Sequence, residues 1–473
     1  MRLISKETIV QKADTWKDIP YTMTMERLNF GAEAAEATMH IYSYTAQDGQ
    51  PDRPVVFVFN GGPGSSGIWM HLGFAAPKRV KLSNAVNPTA HGPYVLEDNP
   101  NSFIAQADTV VIDPVETGYS RLLDQSKAGE YLSVDGDAEM FAILIADWLR
   151  SRGRVNSPRY LCGESYGTYR MPYVARELFG GPFANGHRLR AFPVDGMLML
   201  GSALVLAPSL TPDYPAVYPS AHQLPDMAAA NHYHRPEGKP ALKEWIDEVW
   251  DFCSGEYLSI LFKGSSLTGD ERRAAAEKME WYTGVSAQWF MENGFELSHS
   301  QFSKLCLRDR WLDVGIYDAR YAMRHSADKT AEGRPVMDDP VADDPAMGKY
   351  SAAFIGCWET AFKPWAGIEL DEEYRLIDFT CNGRFNLKSA SGLTPTQCLE
   401  MDMRRDENLR VMQLSGVYDL CTSFSTVRYM ANHMNIDPAR LTLREYESGH
   451  MPYLGEESAK ALAEDIRAFI TAK

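Results

Sequence analysis

In "GESYG", residues 163–167, a serine stands between two glycines at the spacing G-x-S-x-G. An apolar run, "RYLC" (159–162), precedes it, and a helical stretch, "TYRMPYVARELF" (168–179), follows. The glycines let strand and helix close on a strained turn, which lifts the Ser165 hydroxyl above the sheet. A hydroxyl attacks a carbonyl only when a base takes its proton, and the base needs an acid to fix its ring. Two later stretches end in those residue types: "VMQLSGVYD" in Asp419 and "LTLREYESGH" in His450. They come in the order serine, acid, histidine, each just past a strand pattern. Alone, Asp419 reads as a helix cap and His450 as a surface-loop residue. Three matches in this order read as nucleophile, orienting acid and base of an acyl transfer.

Acyl transfer places negative charge on a carbonyl oxygen, and each preorganised N–H donor there contributes about 3–4 kcal/mol. One donor is the N–H of the residue after the nucleophile, Tyr166. The other is expected from an early loop after a strand. "FVFNGGPGSSG", residues 57–67, has that form: an apolar strand runs into glycines that allow backbone to approach a substrate closely.

The elements around these residues read as an α/β fold. "RPVVFVFN" (53–60) and "DTVVID" (108–113) are near-continuous apolar runs, as in strands buried on both faces. "VDGMLML" (194–200), "LRVMQLSG" (409–416) and "LTLREYE" (441–447) are further strands. "DAEMFAILIADWLRS" (137–151), "SFSTVRYMANHM" (423–434) and "EESAKALAEDIRAFITA" (456–472) have helical periodicity. This alternation predicts a mostly parallel sheet with helices on both faces. "YTMTMERLNF" (21–30) and "EATMHIYSYT" (36–45) predict an antiparallel hairpin at a sheet edge. From 206 to 370 the chain is rich in Trp, Tyr, Met and charge, and "ALKEWIDEVWDFCSGEYLSILF" (241–262) and "GDERRAAAEKMEWYTG" (269–284) are amphipathic. The expected organisation is a catalytic domain of 1–205 and 371–473 interrupted by a mainly helical cap, 206–370, with an acidic surface loop at 328–348.

The bulk numbers narrow the function classes. The 473 residues exceed one ordinary core, which suits a large domain with an insertion. A net charge of −16 argues against nucleic acid or an anionic membrane as partner, since both require clustered Lys and Arg. The longest apolar run, "MLMLGSALVLA" (197–207), is about half the length of a membrane span. "MRLISKETIVQKADTW" lacks an apolar core, so no secretory signal is expected; the chain is cytoplasmic by default, and periplasmic or secreted if a signal was removed. Seven widely spaced cysteines without C-x-x-C predict free, buried thiols rather than disulfides or a zinc site. "HYH" (232–234) could offer two ligands on a strand, but no further ligand pattern supports a metal, and the glycine loop is neither G-x-G-x-x-G nor a P-loop. No cofactor is expected.

With these motifs in hand, the chain resembles the serine carboxypeptidases of the α/β-hydrolase superfamily, in wording closest to a bacterial-type branch. The matching stretches are "NGGPGSSG" (60–67), "DPVETGYSR" (113–121), "GESYGTYRMPYVA" (163–175), "SGVYDL" (415–420) and "ESGHMPY" (447–453). The resemblance implies Ser165, His450 and Asp419 as the triad, and Gly62 and Tyr166 as donors of the oxyanion-hole N–H groups. It implies that Asn60, Gly61 and Glu164 bind the free carboxylate of a peptide substrate, and that Met451 lines the pocket for the departing residue, with Trp69 or His71 nearby. An exopeptidase must count from the chain end, so a carboxylate receptor beside the nucleophile is what its task requires. The alternative on the same fold is a serine-dependent esterase or acyltransferase, which needs no such receptor. Three positions depart from the family's usual pattern. Ser65 stands where many members have cysteine, "MHLGFAA" (70–76) lacks a second glutamate found in some, and Glu116 replaces a usual glycine with no role evident from sequence. Oligomeric state is left open, a homodimer being one option.

Overall fold

Val55–Phe59 and Asp108–Asp113 are buried along their whole length, as strands covered on both faces must be. They are β4 and β5 of a nine-stranded sheet. The others are β1 (Arg2–Trp16), β2 (Ile19–Gly31), β3 (Ala37–Ala46), β6 (Arg159–Ser165), β7 (Gly196–Ser202), β8 (Arg410–Gly416) and β9 (Leu441–Tyr446). Hydrogen bonding joins them in the order β1-β2-β3-β5-β4-β6-β7-β8-β9. The first three pair antiparallel, as do β3 and β5; every neighbour from β5 onward is parallel. The computed structural model describes residues 1–84, 86–180, 189–205, 219–326 and 339–472.

Alternate side chains of β4 feed two cores. Phe57 and Phe59 pack with Phe141, Leu144 and Tyr166 of the helices α1 (Val134–Ser151) and α2 (Tyr166–Phe179). Val56 and Val58 face the other layer, which holds Leu462, Ile466 and Phe469 of the C-terminal helix Glu456–Thr471. Both layers therefore clamp the strands whose ends carry Asn60 and Ser165.

The hairpin of β2 and β3 is present but is not the edge. The first fifteen residues after Met1, read above only for a signal, form β1 outside it. Most of β1 is exposed and polar, so it has no alternating pattern; backbone pairing to β2 holds it, with two register shifts along its length.

The insertion packs in two groups. Helices α3 (Pro219–His234), α4 (Leu242–Phe252) and α5 (Gly269–Thr283) build a core around Trp245, Val249, Tyr257 and Met279. That core also holds Val417, Tyr418, Leu420 and Phe424, the neighbours of Asp419. Helix α6 (Met347–Cys357) and Trp358 join the main core instead, where Trp358 meets the Tyr42 ring edge-on at 5.6 Å. The expected cap boundary at 206 and the loop residues 328–338 lie outside the described residues. "HYH" is the last turn of α3 rather than a strand, and its two histidines bond separate carbonyls, His232 that of Pro240 and His234 that of Ala319. The seven cysteines are unpaired; six are buried, and Cys421 is exposed.

Candidate active site

The chain turns at Ser165 with φ 56° and ψ −128°, a left-handed conformation that an L-residue adopts only under strain. This is the junction of β6 and α2, and tight packing enforces it. A Cβ at Gly163 would lie 2.8 Å from the Gly167 carbonyl carbon, and one at Gly167 would lie 2.9 Å from Phe59 O. The glycine loop presses on the same turn. A Cβ at Gly61 would come within 2.4 Å of Tyr166 N and 2.7 Å of Glu164 O. Gly61 is thus laid against the first amides of α2, and Gly62, at φ +99°, turns the loop back on the amides of Gly64 and Ser65.

Asp419 and His450 meet past the ends of β8 and β9. His450 Nδ1 is 2.8 Å from Asp419 Oδ2. The aspartate is fully buried, and its other contacts are all donors: Cys421 N and Thr422 N reach Oδ1 at 2.8 and 3.0 Å, and Thr422 Oγ1 reaches Oδ2 at 2.6 Å. Burial works against its charge, but His450 and these donors outweigh burial and hold the carboxyl below its usual range. Burial likewise opposes charge on the imidazole; Asp419 prevails, aided by Glu164 and Asp344, and raises it to about 9. The ring lies on Gly201 at the end of β7, where a Cβ would come within 2.9 Å of His450 Cε1. Ser165 pairs with Ser202, the next residue of that strand, so Ser165 and the His450 ring lie at the ends of adjacent strands. Among the described residues no hydrogen bond joins Ser165 Oγ to the ring, a bond that often tightens only with substrate present.

Beside Ser165, Glu164 is buried and accepts from Asn60 Nδ2 at 2.8 Å and from the Tyr453 hydroxyl at 2.6 Å. Burial pushes its carboxyl up to about 7, against the pull of His450, Tyr453 and Asn60. Asn60 is fixed from both ends: its Oδ1 accepts from Met70 N at 3.1 Å and its carbonyl accepts from Arg170 at 2.7 Å. Asp113, first residue of "DPVETGYSR", anchors the far side of the loop by accepting from Gly67 N at 2.7 Å.

The other sequence candidates fall as follows. Trp69 is 1% exposed; its indole donates to Ser65 Oγ at 3.0 Å and its ring lies 5.0 Å from that of Phe354. Met451 is buried next to His450. His71 is not beside the receptor: helical rotation turns it into an aromatic cage, with Nε2 2.6 Å from the Tyr44 hydroxyl. Sequence reasoning missed Thr422, Tyr453 and Tyr317, whose carbonyl accepts from His450 N at 2.7 Å.

Glu116 now has an account. Its φ is +67°, the conformation that favours glycine, and its carboxylate is buried between Leu122 N at 2.7 Å and the Arg375 guanidinium. Arg375 pairs its backbone with Gly118, so the bridge fastens residues after the insertion to the loop after β5. Arg375→Ala leaves that carboxylate half-satisfied and is expected to cost about 1–3 kcal/mol, read as a lower urea midpoint at unchanged slope. An unmoved midpoint would show that the bridge adds nothing.

A central sheet of this order, with a strained serine after one parallel strand and an Asp–His pair past two others, defines an α/β-hydrolase. Residues 26–199 match the family model described as serine carboxypeptidase. The matched residues carry Asn60, the glycine loop and Ser165. It is 36% identical over 129 residues to the pheromone-processing carboxypeptidase KEX1 of Phaeosphaeria nodorum, 26% of this chain and 17% of that protein. It is 24% identical over 163 residues to serine carboxypeptidase-like 35 of Arabidopsis thaliana, 32% of this chain and 30% of that one. The matches thus span less than a third of either relative. Among solved structures, the prohormone-processing carboxypeptidase Kex1Δp of Saccharomyces cerevisiae shares the fold with a TM-score of 0.54 at 13% identity, covering 95% of this chain and 90% of that one. No helix among the described residues is long and apolar enough to cross a membrane.

Proposed function

We propose that this chain is a serine carboxypeptidase that removes the last residue of a peptide through an acyl-enzyme. The observation that carries the reading is the buried, hydrogen-bonded pair of Asn60 and Glu164 one residue before the strained Ser165. An esterase has no use for two carboxylate-binding groups at that spot. The second amide hydrogen of Asn60, the N–H of Gly61 and the proton of neutral Glu164 bind the terminal carboxylate. That places the last peptide carbonyl over Ser165. Ser165 Oγ attacks it while His450 Nε2 takes the proton, and Asp419 holds the ring and its charge. The N–H groups of Gly62 and Tyr166 stabilise the oxyanion. His450 then protonates the leaving amine, the free amino acid departs, and water repeats the sequence in reverse to release the shortened peptide. Residues 206–370 roof the site of a catalytic domain made of 1–205 and 371–473, and Met451 and Trp69 border the pocket of the departing residue.

The receptor makes the enzyme pH-dependent. Two carboxylates repel, so Glu164 must carry a proton to bind substrate. Its carboxyl lies at about 7, so the binding form is complete below that pH and is lost above it. The same proton helps the base, because ionised Glu164 is one of the charges holding His450 protonated. For a blocked dipeptide, KM is expected to rise about tenfold from pH 6 to pH 8. For the dipeptide's methyl ester this rise is absent, and Glu164→Gln removes it for the dipeptide. Equal rates on acid and ester at pH 6 would instead indicate an esterase or acyltransferase.

A further inference from the structure

Glu164 is held by an amide and a phenol, and among the described residues neither a second acid nor a cation is hydrogen-bonded to it. The phenol comes from Tyr453, three residues after the base. Its ring has little freedom. It stacks on Phe74 at 5.1 Å with an interplanar angle of 25°. It also fills the space over Gly73, where a Cβ would lie 2.4 Å from the ring. Gly73 lies in the short helical segment His71–Ala75 that continues from Met70, the residue whose N–H holds Asn60. One packed unit therefore fixes both partners of the Glu164 carboxyl.

We propose that Tyr453 is a positioning residue of the carboxylate receptor: its hydroxyl occupies Glu164 Oε2 and so turns the acid's own proton toward the terminal carboxylate of the substrate. The proposal rests on the carboxypeptidase reading. A carboxyl carries about four lone-pair sites, and here Asn60 takes one on Oε1 and Tyr453 one on Oε2. The proton that makes Glu164 neutral must sit on a remaining site, away from both donors. The phenol cannot take part in that exchange, since burial and the adjacent carboxyl hold it protonated well above its ordinary range. A second carboxylic acid in its place would compete for the proton; a tyrosine leaves it to Glu164. The receptor then titrates as one group. The charged and titratable groups that face Glu164 are His450 and Asp419 from the triad, Tyr350 from α6, Cys162 from its own strand, and Tyr453 itself. Of these, His450 and Tyr453 favour the ionised carboxyl, while Asp419 disfavours it.

The test is Tyr453→Phe, which keeps the ring on Phe74 and removes only the donor. A carboxylate that loses a hydrogen bond becomes a weaker acid, so the alkaline limb of kcat/KM for a blocked dipeptide is expected to move up by about one pH unit. The change should lie in KM, with kcat within about twofold of the wild type. The methyl ester of the same dipeptide should show no shift. In a Glu164→Gln background, Tyr453→Phe should shift nothing. The proposal falls if the limb stays in place, or if acid and ester shift together, which would place the effect on His450. In either case a wild-type preference for the free acid leaves the carboxypeptidase reading standing. If the wild type itself treats acid and ester alike, both fall.

Discussion

Ser165→Ala is expected to lower kcat/KM on a blocked dipeptide by about a million-fold, the scale of loss when a nucleophile is removed from a triad. The loss should be chemical and not structural. Serine and alanine share the same Cβ, so the strained turn at φ 56° costs alanine what it costs serine, and the contacts of Gly61, Gly163 and Gly167 around the turn do not involve the hydroxyl. Thermal midpoints of the two proteins should therefore coincide. What remains is the action of the amides of Gly62 and Tyr166 on a bound peptide, about 10³–10⁴ over water in comparable sites. A fluorophosphonate should label the wild-type chain once, at Ser165, and leave the variant unlabelled. A variant that keeps more than a hundredth of wild-type activity, or that still takes the label, would remove Ser165 from the mechanism.

Where the sequence revealed the fold, burial had left a mark on residue type. β4 and β5 are covered on both sides, so their positions are nearly all apolar, Asp108 and Asp113 being paired, and the runs stand out. β1 is the opposite case: it lies at an exposed edge, where few of its side chains are buried and no period survives. Ser165, Asp419 and His450 were legible as a set because their three types follow strands in a fixed order, a one-dimensional signal. Tyr453 was not, because its partner lies 289 residues earlier and nothing in the local sequence says which way a phenol points. The same holds for Glu116, whose partner Arg375 is 259 residues away and whose left-handed backbone gives no sign in a glutamate. His71 misled for a related reason: near Trp69 in the chain, it is turned by the helix into the Tyr44 cage.

Asp419→Asn is expected to lower kcat/KM by about 10⁴ while leaving the fold intact. The carboxylate accepts four hydrogen bonds and donates none. An asparagine can keep its oxygen under Cys421 N and Thr422 N, because those two donors share Oδ1. Its nitrogen must then take the place of Oδ2, facing His450 Nδ1 and the Thr422 hydroxyl. A donor there requires an unprotonated Nδ1, so the ring's proton moves to Nε2, the nitrogen that has to accept from Ser165. The base is present but in the wrong tautomer. Its imidazole also loses the charge that raises it to about 9, and burial alone would then pull it down. Thr422 eases the substitution, since its hydroxyl can turn to accept from the asparagine nitrogen, but it carries no charge to hold an imidazolium as the transition state forms. The variant should thus fold, bind dipeptide with little change in KM, and react with fluorophosphonate slower in proportion to its loss in kcat. A fall in kcat/KM of less than tenfold, with the thermal midpoint kept, would mean that Asp419 does not orient the base.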